Sequence, residues 1–195
     1  MRKLVLAMGL LASGPALATL ASAPVGAAGL EIDVNGVANG TVTVDLFEDV
    51  APGHVERITE LAAEGAYDGV VFHRVIDGFM AQTGDVEFGR AGGDMRRAGM
   101  GGSDKPDLEA EFSDRPFERG VLGMARSQNP DSANSQFFIM FAPAPHLDGQ
   151  YTAWGKVVDG MEHVHNIKKG RADQNGAVED PDKIVKMQVA ADADK

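Results

Sequence analysis

Val71-Phe72-His73-Arg74-Val75-Ile76-Asp77-Gly78-Phe79-Met80-Ala81-Gln82-Thr83-Gly84-Asp85 decides how this chain is read. Residues 70–76 have the β-branched and aromatic content of a strand, and residues 79–83 read as a second strand. Strict alternation puts Arg74 on one face with Val70, Phe72 and Ile76. A guanidinium stays charged in a protein and is costly to bury without partners. An arginine kept in such a strand serves a ligand that is itself half apolar.

The same parity test extends outward. In 79–83 it pairs Met80 with Gln82, a flexible apolar side chain beside an amide, and sends Phe79 to the opposite, core-like face. In Ser135-Gln136-Phe137-Phe138-Ile139-Met140-Phe141 it puts Phe137, Ile139 and Phe141 on one face, as core. Gln136, Phe138 and Met140 fall on the other, which suits the wall of a groove for an extended peptide. Spacing alone leaves a second reading open, with Phe138 and Met140 packed under a helix and Gln136 exposed.

Further strands are expected over 30–34, 41–47, 120–126, 151–158 and 184–189, with Asn35-Gly36 as a hairpin turn. Residues 53–64 have helical spacing, with Val55, Ile58, Leu61 and Ala62 on one side, Pro52 in the first turn and Gly65 as the stop. Residues 161–168 can form a short second helix. The glycine-rich stretch 87–106 reads as a long exposed loop. Many strands, two helices and no strand–helix–strand rhythm predict a mainly β, antiparallel barrel or sandwich. Apolar residues on both faces of most strands favour a closed barrel with helices over its ends.

The chain has 195 residues and no Cys, so disulfides, thiolate metal sites and a thiol nucleophile are excluded. Residues 1–28 read as a secretory signal. Arg2 and Lys3 precede a short apolar run over 4–11, then small-residue cleavage sites, with cleavage expected near Ala23 or Ala28. The run is too short to span a bilayer. The expectation is an exported, periplasmic protein with no membrane contact after the signal is removed. Losing two basic residues with the signal would move the formal net charge from −11 to −13. Such acidity argues against nucleic acid and anionic membrane as partners. One domain over 29–190 and an acidic tail over 191–195 account for the rest, and nothing demands more than a monomer.

Three blocks carry a resemblance: FHRVIDGFMAQTGD, VLGMARSQNPDSANSQFFI and HLDGQYTAWGKVVDGME. In that order they resemble the signature blocks of the cyclophilins, the peptidyl-prolyl cis-trans isomerases, and the likeness runs from about Leu30 to Val189. The second block, with Pro130-Asp131-Ser132-Ala133-Asn134, is similar to bacterial forms. The resemblance implies a closed, eight-stranded antiparallel β-barrel capped by two α-helices. It implies isomerisation of X-Pro bonds in folding exported proteins, without metal or cofactor. It carries the catalytic arginine to Arg74 and the proline pocket to Phe79, Met80, Phe138 and Leu147. Backbone contacts to the peptide carry to Gln82, Ala125, Arg126 and Gln136. On the rim, His146 stands where many members have Trp and Tyr151 where many have His, while Arg126 replaces a common Asn. His146 makes weak cyclosporin binding the expectation, because the family's indole contacts that drug.

Two other classes compete with an isomerase. A non-catalytic module could hold proline-containing segments as a chaperone or scaffold, using the same groove without turnover. A metal enzyme has little support. His163 and His165 are the only close His pair, two residues apart on a helix they face different sides, and no HExxH occurs.

Overall fold

The computed structural model describes residues 29–190. The expected signal peptide at 1–28 and the acidic tail at 191–195 lie outside the described residues. Eight strands and two α-helices follow one another in the order β1 (Gly29–Asn35), β2 (Gly40–Leu46), α1 (Pro52–Ala63), β3 (Arg74–Ile76), β4 (Met80–Thr83), β5 (Val121–Met124), β6 (Phe137–Met140), β7 (Ala153–Asp159), α2 (Met161–Asn166) and β8 (Lys183–Val189). All strand pairs are antiparallel, in the order β3-β4-β6-β5-β7-β2-β1-β8. The result is a mainly β, curled eight-stranded sheet.

Alternation within the strands builds the core. Leu30, Ile32 and Val34 of β1 and Val42, Val44 and Leu46 of β2 all point inward, and the pairing Ile32↔Val42 and Leu30↔Val44 sets them side by side. Phe137, Ile139 and Phe141 join them, as parity requires. Phe137 meets Trp154 edge-on, with centroids 5.4 Å apart. Val55, Ile58, Leu61 and Ala62 of α1 and Val164 of α2 close onto the same cluster. Met80, Phe138 and Met140 belong to a second apolar cluster on the other face of the sheet.

Helix α1 has Pro52 in its first turn but no side-chain cap from Ala51. Its N-terminal donors are met instead by Glu111, whose carboxylate accepts N–H bonds from Gly53 and His54 at 3.0 Å each. Buried His54 donates through Nδ1 to the same carboxylate at 2.5 Å. Burial lowers the His54 pKa, against the raising effect of Glu111. Burial pushes the Glu111 carboxyl up, but the bonds from His54 and the two N–H groups outweigh it and hold the group below its usual range.

One expectation fails. Residues 70–76 do not form one strand: β3 begins at Arg74, with only isolated bridges at Val70 and Val71. Phe72 therefore does not share a face with Arg74. Phe72 and Val75 both pack into the inner core, while Arg74 and Ile76 face the other way. Between Phe72 and Val75 the chain uses one residue more than alternation allows. The cause is in the hydrogen bonds: Phe72 N–H donates to Asp182 O, whereas the His73 carbonyl accepts from Val178 and Val75 N–H donates to Gly176 O. The segment thus changes partners at His73. The turn expected at Asn35-Gly36 spans residues 36–39, and β2 starts at Gly40, one residue before the expected 41.

The stretch after Thr83 is irregular, as expected, but it is pinned. Fully buried Asp85 accepts N–H bonds from Glu87 and Phe88 on one oxygen and from Gly99 and Gly101 on the other.

Candidate functional site

Strand register assembles the site. Arg74 pairs with Gln82, Gln82 with Phe138, and Phe138 with Gly123, so one row crosses β3, β4, β6 and β5 on the face away from the core. The neighbouring row is Ile76, Met80 and Met140. Gly123 matters here because a Cβ on it would lie 2.4 Å from Phe138 Cζ and 2.6 Å from Phe117 Cε1. The missing side chain is what lets the Phe138 ring lie down.

A cavity of about 360 Å³ opens over these rows. Its apolar walls are Phe79, Met80, Phe138 and Leu147. Phe79 reaches it although alternation assigned it to the core, because β4 starts at Met80 and Phe79 still belongs to the turn made by Asp77 and Gly78. Phe138 is held by Phe117 at 5.8 Å and by Tyr151, edge-on, at 5.9 Å between centroids. His146 stacks on Phe79 at 5.8 Å and, with Tyr151, forms the rim. Met140 is fully buried within the second apolar cluster, to which neither α-helix contributes, while Phe138 lines the cavity.

The polar side of the cavity is made by Arg74, Gln82, Ala125 and Arg126. Arg74 is half-buried. Its Nε donates to Asn175 O at 3.1 Å, its Nη2 to Asn175 Oδ1 at 3.0 Å and its Nη1 to Gln82 Oε1 at 3.1 Å. All three partners are neutral oxygens. Of the five N–H donors of a guanidinium, two stay unspent. Burial lowers the Arg74 pKa from the ordinary arginine value, with Tyr151 opposing, and the group remains a cation at neutral pH. Gln82 then donates through Nε2 to Gln136 Oε1 at 3.0 Å, and Gln136 Nε2 donates to Gly101 O at 2.8 Å. This relay fixes both amide orientations.

Gln136 lines an adjoining, more polar hollow of about 440 Å³ rather than the apolar cavity. Gln82, Ala125 and Arg126 border both. The Arg126 guanidinium lies 4.4 Å over the Tyr151 ring and donates to Ser127 O and Gln150 O at 2.8 Å each. Ten of the eleven residues singled out in the sequence thus meet at one cavity, and Gln136 joins it through Gln82. Sequence reasoning missed Asn175, 101 residues from Arg74 in the chain. The Asn175-Gly176 pair carries an ordinary turn signal, but nothing in it points at Arg74.

What the arrangement offers is an apolar hollow for a compact ring, flanking amides, and a fixed cation with spare donors, without a nucleophile–base pair. A family model described as "Cyclophilin type peptidyl-prolyl cis-trans isomerase/CLD" matches residues 30–189. A Brucella suis protein named a probable peptidyl-prolyl cis-trans isomerase is 62% identical over 156 residues, which cover 79% of this chain and 80% of that one. The Bacillus subtilis peptidyl-prolyl cis-trans isomerase B is 39% identical over 130 residues, covering 66% and 84%. A Cryptosporidium parvum cyclophilin-type isomerase, crystallised in the presence of the dipeptide Ala-Pro, superposes with a TM-score of 0.69 at 27% identity, covering 84% of this chain and 99% of that one.

Proposed function

The chain belongs to the cyclophilin-type peptidyl-prolyl cis-trans isomerases, and from that premise we propose how its residues divide the work. An X-Pro bond is held planar by amide resonance, with a barrier of ~18–20 kcal/mol. Uncatalysed exchange takes on the order of tens to hundreds of seconds. No bond breaks, so the enzyme has only to bind the twisted state better than either planar one. On twisting, the proline nitrogen regains its lone pair. Arg74 donates a hydrogen bond to that nitrogen or to the neighbouring carbonyl, as a preorganised electrostatic stabiliser. Phe79, Met80, Phe138 and Leu147 hold the ring, with His146 and Tyr151 at the rim. Gln82, Gln136 and the main chain at Ala125 and Arg126 hold the flanking peptide.

The observation that carries this division is the Arg74 guanidinium, with two N–H groups unspent, on the wall of an apolar cavity. The Cryptosporidium relative, crystallised in the presence of Ala-Pro, supports proline-containing polypeptides as the ligand class. The clients are folding exported proteins and the compartment is the periplasm of a bacterium. The supporting features are the basic start, the apolar run and the small-residue sites within 1–28. Because β1 begins at Gly29, cleavage after Ala23 or Ala28 leaves all eight strands intact. The domain acts as a monomer over 29–190, needs no cofactor, and binds cyclosporin weakly through His146. Hydrogen bonds from Gly69 to Ile184, from Ile184 to Val70 and from Phe72 to Asp182 support reading the curled sheet as a closed barrel.

The test is exchange of a short X-Pro peptide, followed by NMR with catalytic amounts of the protein. Accelerated cis-trans exchange supports the enzyme. Peptide binding without acceleration would leave the scaffold or chaperone reading standing instead.

A further inference from the structure

We propose that Asn175 is a positioning residue for the reaction, through its hold on Arg74. The inference rests on the assignment of Arg74 made above. Two atoms of Asn175, its backbone oxygen and Oδ1, accept from Nε and Nη2, the two nitrogens that share one edge of the guanidinium. That is a two-point grip on a planar fork, and Gln82 adds a third point from β4. A planar group held at three points cannot swing about the end of its own flexible stem. The two N–H groups left over therefore keep a fixed direction, which is what an electrostatic stabiliser requires.

The backbone around Asn175 is built to deliver this grip. Asn175 is left-handed, with φ 53° and ψ 34°. Asn enters that region at lower cost than other side-chain-bearing residues. The flanking turn is fastened to β3 by main-chain bonds: Val75 N–H donates to Gly176 O, and Gly170 N–H donates to Val75 O. Gly176 also has positive φ, and a Cβ on it would come within 2.6 Å of Ile76 Cγ1. The turn and the strand that carries Arg74 thus move as one piece.

A plainer account is that Asn175 serves only the turn. The two accounts separate cleanly, because glycine suits φ 53° at least as well as asparagine and keeps the backbone oxygen. Asn175→Gly removes the carboxamide, and with it the Oδ1 contact, while the contact through the backbone oxygen stays. The expected result is a fall in kcat/KM of about tenfold, the scale of one lost hydrogen bond to a charged group. The loss appears in kcat with KM little changed, since the apolar cavity is untouched. Rotation about the Arg74 Cζ–Nη bonds, read by nitrogen-15 NMR, speeds up. Asn175→Asp restores an acceptor in the same place, tolerates the same backbone, and recovers most of the lost rate and the slow rotation. Arg74→Ala is measured beside them.

Wild-type kcat in Asn175→Gly while Arg74→Ala is impaired overturns the inference and leaves the Arg74 assignment standing. Equal losses in the Gly and Asp variants, with unchanged Arg74 rotation, overturn it too. Full activity in all three variants removes the Arg74 assignment itself.

Discussion

Gly123→Ala adds one methyl group beneath the cavity that we propose holds proline, and its consequences can be worked from distances. The new Cβ would lie 2.4 Å from Phe138 Cζ, 2.8 Å from Phe138 Cε2 and 2.6 Å from Phe117 Cε1. Ordinary carbon contacts are about 3.5–4.0 Å, so the rings must retreat by roughly 1 Å. Phe138 is the one with room, because it borders the open cavity while Phe117 is buried at 2% exposure. The ring therefore rises into the cavity. Gly123 φ is not among the positive values of this chain, so the backbone itself accepts alanine. Overpacking of this kind costs ~1–3 kcal/mol, and Tm falls by about 2–4 °C for each kcal/mol in a domain of this size. A 1 Å misplacement of a positioning group can cost up to about 10²-fold in rate; we expect kcat/KM on an X-Pro peptide to drop by at least about tenfold. Urea unfolding and the NMR exchange assay are run on the same preparation. A variant with wild-type stability and wild-type kcat/KM would refute the claim that Gly123 sets the height of the pocket floor.

Two more outcomes follow from buried polar groups. Removing the Asp85 carboxylate in Asp85→Ala orphans four N–H donors and costs about 3 kcal/mol. Hydrogen exchange should quicken at Glu87, Phe88, Gly99 and Gly101, and unchanged protection there would contradict the pinning of this loop. Burial holds His54 and His73 below the ordinary histidine value of 6.5. The unfolded chain therefore takes up protons near 6.5 that the folded chain refuses. Stability is greatest above that pH and falls as pH drops through 6.5 toward the folded values. Glu111, held below 4.5, adds a second loss under that pH. Urea unfolding at pH 7.5 and 5.5 should show the lower stability at 5.5, and equal values would count against both buried neutral imidazoles.

Local alternation carried the sequence reading wherever a strand is regular. Phe138 and Met140 opposite Phe137 and Ile139, and Met80 beside Gln82, could be placed by counting twos. The count broke at His73, where the chain changes hydrogen-bonding partners from Asp182 to Gly176, and pattern alone does not register such a change. Phe79 escaped for a related reason: it sits in a turn, where parity has no meaning. Its place came from the resemblance of the whole block. Hidden altogether were groups joined across long sequence distances. Glu111 caps a helix through Gly53, 58 residues earlier, and Asn175 grips Arg74 from a turn 101 residues further on. A cap or a grip of that kind is visible only when two distant segments are brought together, and no local propensity encodes it.

The central claim is that a half-buried guanidinium with donors to spare lowers the barrier to rotation about an X-Pro bond. The most direct measurement is the kcat/KM of Arg74→Ala against the parent protein, by NMR exchange on one short peptide, with binding of that peptide measured separately. The account predicts a fall of ~10²–10³, the scale for losing one preorganised donor, with peptide still bound. Near-parental turnover by Arg74→Ala would contradict it.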